Sequence, residues 1–167
     1  MQTRLYALIS GSILFLLGIF GFVSFFVSPP SPDSPTMTIT SAFGQLFAIF
    51  PVNSFLNVIH CVWGLVGIVA YTNDKSSVTF ARWSGYGAGL LAILGMLPFT
   101  RTLAGLLPLY SHNIWLHGVF ALVSTLYASR KMQDTLGLRI QGDQVDQFAA
   151  ARKSAQERKP KDLDKAG

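Results

Sequence analysis

Residues 46–66 read LFAIFPVNSFLNVIHCVWGLV, and residues 103–123 read LAGLLPLYSHNIWLHGVFALV. The second segment repeats the pattern of the first 57 positions later, so that Pro51 aligns with Pro108 and His60 with His117. After the histidines the match continues at positions i+4, i+7 and i+11, which share one face of a helix. On that face His60, Gly64, Gly67 and Tyr71 align with His117, Ala121, Ser124 and Ala128. The repeat therefore predicts two related helices, each with a histidine above a strip of mostly small residues.

Four apolar stretches contain or flank these segments, at about residues 5–27, 53–71, 83–99 and 110–129. Half of all residues are hydrophobic, only 13% are charged, and the mean hydropathy is +0.42. This composition excludes an ordinary soluble enzyme, in which about 25% of residues are charged. The sequence predicts an all-α integral membrane four-helix bundle over residues 1–130. Its two tandem transmembrane hairpins would be related by a pseudo-two-fold axis along the membrane normal.

The basic residues predict the orientation of the bundle. Twelve lysine and arginine residues fall on one side of the predicted spans, and Arg101 alone falls on the other. Because positive charge is enriched in cytoplasmic loops, both termini are expected in the cytoplasm. The net charge of +5 then reflects membrane topology, and no nucleic-acid partner is predicted. Residues 131–167 are expected to form a polar cytoplasmic tail.

One further apolar segment, SAFGQLFAIF at residues 41–50, is too short to cross a bilayer and ends at Pro51. We expect it to form a short interfacial helix on the outer surface. The segment TLAGLL at 102–107 precedes Pro108 in the matching place.

Two hypotheses account for the paired histidines, which are expected at one depth in the outer half of the bilayer. In the first, they are packing residues, since small residues allow close helix contacts and a polar side chain adds a hydrogen bond. The hydrogen-bond partners would then come from the preceding turns, which hold four polar candidates: Asn53, Asn57, Ser111 and Asn113.

In the second hypothesis His60 and His117 are cofactor ligands, because imidazole binds haem iron, zinc and copper. The small residues below the rings would leave room for a planar macrocycle. No acidic residue lies near the pair in the sequence to complete a metal site.

Other catalytic chemistry is missing from the sequence, which contains no P-loop, paired carboxylates, HExxH or CxxC motif. We therefore expect a non-enzymatic accessory or assembly module, with the lipid bilayer and other membrane proteins or further copies of the chain as partners. The alternatives are a bis-histidine haem or metal-binding redox protein and a binding or transport module for a small lipophilic ligand. That ligand would lie between the second and fourth spans.

Residues 43–68 resemble the signature of the four-span bacterial membrane proteins of domain of unknown function (DUF) family 4383. The matching motif comprises Phe43-Gly44, Phe50-Pro51-Val52-Asn53, Asn57, His60 and Gly64. A second block resembles residues 105–123, with Asn113, Trp115 and His117. The resemblance covers about residues 40–130 and implies a four-helix membrane module with no established activity. It also implies a bacterial source, including cyanobacteria, and so a plasma or thylakoid membrane.

Overall fold

Four long helices and a small sheet make up the described part of the chain. The computed structural model describes residues 2–157, and the side chains of residues 2–129 and 142–154. The helices are α1 (Gln2–Phe20), α2 (Ser54–Ala70), α3 (Asp74–Met96) and α4 (His112–Glu157), with a 3-10 turn at Ser24–Phe26. The strands β1 (Val27–Ser28), β2 (Gly44–Leu46) and β3 (Phe50–Val52) form an antiparallel sheet in the order β1-β2-β3.

The chain divides into two compact units after Ser129. The first unit contains α1, α2, α3, the sheet and the part of α4 that precedes residue 130. In the second unit α4 continues to Glu157, and its Val145 and Phe148 side chains are exposed. The fold is therefore mostly helical, as predicted, with a helical bundle in the first unit.

Glycines bring α1 and α2 into backbone contact along their lengths. A Cβ atom added at Gly11 would lie 2.7 Å from the carbonyl oxygen of Gly64, and one at Gly64 would lie 2.4 Å from the amide nitrogen of Phe15. Both distances are shorter than any normal contact, so neither position tolerates a side chain. At the end of the pair, Arg4 Nε donates to the carbonyl of Tyr71 at 2.7 Å. The helices therefore pack antiparallel.

Helices α3 and α4 close the bundle through similar small-residue contacts. A Cβ atom at Gly85 would lie 2.6 Å from Thr125 Oγ1, and Gly89 faces Ala121. Tyr6 of α1 reaches α4, where its hydroxyl hydrogen-bonds with Ser124 and its ring stacks on Tyr127 with centroids 4.6 Å apart. The buried cluster at this end of the bundle consists of Tyr6, Ala7, Ala70, Phe80, Ala81 and Ala128.

The internal repeat extends to the backbone of the connecting turns. Ile49 donates to the carbonyl of Leu46 at 3.1 Å, and 57 residues later Leu106 donates to the carbonyl of Leu103 at 3.2 Å. The central residues of both turns have positive φ angles, at Phe47 (54°), Ala48 (59°), Ala104 (57°) and Gly105 (80°). Two positive φ angles in a four-residue turn define type I′ geometry. The two halves thus share a turn as well as a helix.

The prediction of an interfacial helix at residues 41–50 is wrong, because this segment forms β2 and its turns. Gly44 and Leu46 are buried while Gln45 between them is not, which is the two-residue period of a strand. A Cβ atom at Gly44 would lie 2.4 Å from the carbonyl oxygen of Ser28, so the glycine allows β1 to pair. Positive φ angles at Ala42, Phe47 and Ala48 interrupt any helix.

Three helices also differ from the predicted apolar stretches in their bounds. Helix α1 ends at Phe20, and the chain after it turns into the 3-10 segment and β1. Helix α3 begins at Asp74 because the Asn73 side chain caps it, accepting from the amides of Lys75 and Ser76. Helix α4 continues past Ser129 into the predicted tail.

The bundle exposes apolar residues and buries polar ones. On α1 the side chains of Leu5, Ile9 and Ile13 are about half exposed, whereas Ser10 is buried. The same holds for Val62 and Val69 on α2, which are exposed on the helix that buries Asn57 and His60. Among the described helices, α1 is long and apolar enough to cross a membrane by length and composition, and α2 is apolar but has 17 residues.

Candidate functional site

The structure brings the rings of His60 and His117 close together inside the bundle. Helix α2 carries His60 six residues after its first residue, and α4 carries His117 five residues after its own. The ring centroids lie 6.3 Å apart with an angle of 38° between the planes. The side chains are 7% and 5% exposed. The two repeated helices therefore place their equivalent histidines on facing surfaces.

The hydrogen bond of His117 fixes which ring nitrogen carries its proton. Nδ1 lies 2.8 Å from the backbone carbonyl of Asn113, one helical turn earlier. A carbonyl only accepts, so Nδ1 donates, and in the neutral ring Nε2 then holds a lone pair. The His117 ring therefore enters the bundle core as a hydrogen-bond acceptor or metal ligand.

His60 and Asn57 are two polar residues whose side chains are buried in the bundle. The Nδ1 atom of His60 and both polar atoms of the Asn57 amide have no hydrogen bond among the described residues. Asn57 is fully buried against Gly21 of the α1 terminus. A buried polar atom without a partner costs free energy, so these atoms do not stabilise the fold.

A cavity of about 290 Å³ lies beside the two rings, between α2, α3 and α4. Its walls are apolar and aromatic except for the two histidines and Ser84. Trp83 borders the cavity and is 60% exposed, so the cavity reaches the outer surface of the bundle. The lining residues are Leu14, Leu56, Ile59, His60, Trp63, Trp83, Ser84, Gly87, Ala88, Leu91, His117 and Phe120.

Two asparagine side chains tie the first turns of α2 and α4 to the loops. Asn53 caps α2 by accepting from the amide of Leu56 at 3.0 Å, and its Nδ2 donates to the carbonyls of Ile39 and Leu106. The Nδ2 group of Asn113 donates to the carbonyls of Pro51 and Pro108, at 2.6 Å each. One amide thus joins the two prolines of the internal repeat and fixes the helix ends that carry the histidines.

The model of a protein family described as Domain of unknown function (DUF4383) matches residues 4–129. The chain belongs to this family. The predicted family is therefore confirmed, and the match covers the helical bundle of the first unit. Neither a curated protein nor a solved structure matches the chain.

In this DUF4383 domain the small residues below the histidines are packed against neighbouring helices. Gly64 and Gly67 contact α1 at Gly11 and Phe15, and Ala121 faces the glycines of α3. Ser124 is buried and donates to the carbonyl of Phe120 at 2.6 Å. The room expected below the rings is therefore filled, and the open space lies beside them.

The DUF4383 cavity also depends on residues outside the repeated histidine motif. The indole N–H of Trp63 donates to Ser84 Oγ at 2.9 Å and joins α2 to α3 beside the histidines. Trp63 follows His60 by three residues and so shares its helix face. This spacing was the sequence feature that could have placed Trp63 beside His60. The contributions of Ser84 and Phe120 depend on how α3 and α4 are rotated, which the sequence does not encode locally.

The described part of the domain contains no cluster of metal-ligating side chains. No group of three or more histidine, cysteine, aspartate or glutamate residues is close enough there to hold a metal ion. Cys61, next to His60 in sequence, is a free thiol that faces Phe15 of α1. Within these residues, the pair of imidazoles is the candidate for ligand contact.

Proposed function

We propose that this DUF4383 protein is a non-enzymatic four-span membrane protein that binds a small lipophilic molecule beside His60 and His117. The cavity next to the two rings is the observation that carries this proposal. Its volume lies near the lower end of the range for ligand pockets, about 300–1,000 Å³. It fits a single ring-sized group, with any tail leaving through the mouth at Trp83.

The arrangement of apolar and polar residues supports the membrane assignment. Outward-facing leucine, isoleucine and valine residues surround a core that contains Asn57, His60, His117 and Ser124. A water-soluble helix bundle has the reverse arrangement, with its apolar stripe inside. Lipid solvates such a surface, and buried small and polar residues hold the helices together. A mouth on this surface would admit a ligand from the bilayer.

The proposed orientation places both termini in the cytoplasm of a bacterial cell, at the plasma or thylakoid membrane. We expect Thr36→Cys, in a Cys61→Ala background, to react with a membrane-impermeant maleimide in intact cells. The exposed tail variant Ser154→Cys in the same background should react only after permeabilisation. If only the tail variant were labelled in intact cells, the orientation would be the reverse of the proposed one. If both variants were labelled, the number of spans could not be even.

Filling the cavity is expected to abolish ligand binding without unfolding the protein. Gly87 lines the cavity, and a Cβ atom there would meet no atom within 4 Å, so Gly87→Leu should place its side chain in open space. Native mass spectrometry of wild-type protein from mild detergent should detect a retained small molecule that Gly87→Leu lacks. The thermal midpoint should change little.

Gly118→Leu is the matched control, because Gly118 also has open space but lies outside the cavity lining. It should retain the small molecule. A wild-type protein that never retains one, or a Gly87→Leu variant that retains it in full, would refute the proposal.

Haem ligation by His60 and His117 is the second candidate, supported by the 6.3 Å between their rings. The Nδ1–H of His117 is held by a carbonyl, which is the usual arrangement of a ligating histidine. A Soret band that disappears in both His60→Ala and His117→Ala would favour this function. Colourless protein from haem-replete cells would exclude it.

The expected role as an assembly module is a weaker candidate, because the small residues that could pack against other proteins face inward. Gly11, Gly64, Gly67 and Gly85 are in contact with other helices of the same bundle. They therefore leave less small-residue surface for other membrane proteins or further copies of the chain.

A further inference from the structure

We propose that the ligand of the His60–His117 cavity is a phenol or hydroquinone, whose hydroxyl group donates a hydrogen bond to Nε2 of His117. The inference rests on the proposed function and specifies the ligand that the cavity takes. It follows from the proton on His117, the aromatic walls of the cavity and the lack of charge around it.

His117 presents a hydrogen-bond acceptor to the cavity. Its Nδ1–H is held by the carbonyl of Asn113, so the lone pair on Nε2 needs a donor from elsewhere. The indole N–H of Trp63, a nearby donor, is already used by Ser84. A molecule that carries an O–H group supplies what His117 lacks, whereas a ketone or an ether does not.

The separation of the rings suits one hydroxyl oxygen that contacts both. Hydrogen bonds of about 2.8 Å from one oxygen to two ring nitrogens are compatible with centroids 6.3 Å apart. A neutral His60 ring carries one donor and one acceptor, and the ring lines the cavity. The phenol oxygen would accept from the N–H of His60 while its own proton goes to His117.

The walls of the cavity favour an aromatic ring over an aliphatic alcohol. Trp63 of α2, Trp83 of α3 and Phe120 of α4 all border the cavity. Aromatic side chains attract other flat rings in stacked or edge-to-face contacts, each adding about 0.5–1.5 kcal/mol beyond area burial. Gly87 and Ala88 of α3 also line the cavity, and their small size leaves room for a planar group beside the aromatic rings.

The electrostatics favour a neutral ligand over a metal cation. The lining residues include no carboxylate and no thiol. A bare cation held by two neutral imidazoles would keep its charge in an apolar site, which is costly. A phenol at neutral pH carries no charge and brings its own apolar surface.

The test uses a matched pair of probes, 4-hexylphenol and its methyl ether 4-hexylanisole, which lacks the O–H donor. Wild-type protein in lipid nanodiscs is titrated with each probe, and tryptophan fluorescence reports binding beside Trp63 and Trp83. We expect the phenol to bind at least about tenfold more tightly than the ether. The ratio should fall to about one in His117→Leu and stay unchanged in Gly118→Leu.

A second measurement keeps the inference testable if His117→Leu fails to fold. In wild-type protein with ¹⁵N-labelled histidine, the Nε2 resonance of His117 should shift on addition of the phenol and stay in place with the ether. Nδ1 should remain protonated throughout.

The outcomes separate this inference from the proposed function. Equal binding of the two probes to wild-type protein, abolished by Gly87→Leu, would overturn the phenol assignment while supporting a lipophilic binding site. Failure of both probes to bind would overturn both proposals. A stoichiometric transition metal that survives purification and is lost in His117→Leu would overturn the phenol assignment in favour of ligation.

Discussion

Gly11→Leu is expected to lower the free energy of unfolding by about 3 kcal/mol or more, the upper end of the range for overpacked cores. At this position a Cβ atom would lie 2.7 Å from the carbonyl oxygen of Gly64 and 2.7 Å from the amide nitrogen of Ile68. These are backbone atoms, so no side-chain rotation relieves the overlap. The two helices must separate, and every other contact between α1 and α2 weakens.

Thermal unfolding in detergent, followed by tryptophan fluorescence, measures this effect. Gly118→Leu adds the same side chain at a helical glycine whose Cβ would meet nothing within 4 Å. The control should therefore unfold close to the wild-type temperature. If the two variants melted together, α1 and α2 could not be in backbone contact at Gly11, and the packing described above would be wrong.

Asn113→Ala is expected to lower the free energy of unfolding by about 3 kcal/mol, because it removes one amide and leaves two buried carbonyls without a donor. The carbonyls of Pro51 and Pro108 both accept a hydrogen bond from Asn113 Nδ2. Each buried acceptor left unpaired costs about 1–3 kcal/mol. The loss also frees the first turn of α4 from β3, the strand that precedes α2. Ligand binding beside His117 should weaken with it, since the ring loses the support of its own helix end.

Asn57→Ala provides the contrast for this prediction. Asn57 is as deeply buried as Asn113, but both of its polar atoms lack partners among the described residues. Removing an unsatisfied amide also removes its desolvation cost, which offsets the lost packing, so stability should change by less than about 1 kcal/mol. If the same thermal assay showed equal losses of stability in Asn113→Ala and Asn57→Ala, the hydrogen bonds assigned to Asn113 would be refuted.

The sequence predicted the helical bundle and its repeat well because both depend on features with a clear period. The alignment of His60 with His117 in the chain was sufficient to predict equivalent helices, and small residues at helical spacing predicted close packing. The segment at residues 41–50 was predicted wrongly, because an apolar run of ten residues has no marked period. Its strand geometry depends on positive φ angles at Phe47 and Ala48, which such residues rarely adopt.

The candidate site was predictable only in part, for a related reason. The sequence identified the two histidines and the polar residues of the preceding turns, whose spacing is local. Asn113 contacts both Pro108, five positions before it, and Pro51, 62 positions before it, and the second contact is not encoded by local spacing. The cavity wall formed by Ser84 and Phe120 likewise depends on the rotation of α3 and α4, which arises from packing across the whole bundle.

We propose that two repeated helices bring His60 and His117 together inside a bundle embedded in lipid. Solid-state NMR on protein reconstituted in bilayers, with ¹³C-labelled histidine and the His112→Gln substitution, measures whether the two rings are close. With rings 6.3 Å apart, we expect a through-space cross-peak between ring carbons of the two remaining histidines. The cross-peak should disappear in His60→Ala. Two resolved histidine spectra with no cross-peak between them would show that the rings are not neighbours.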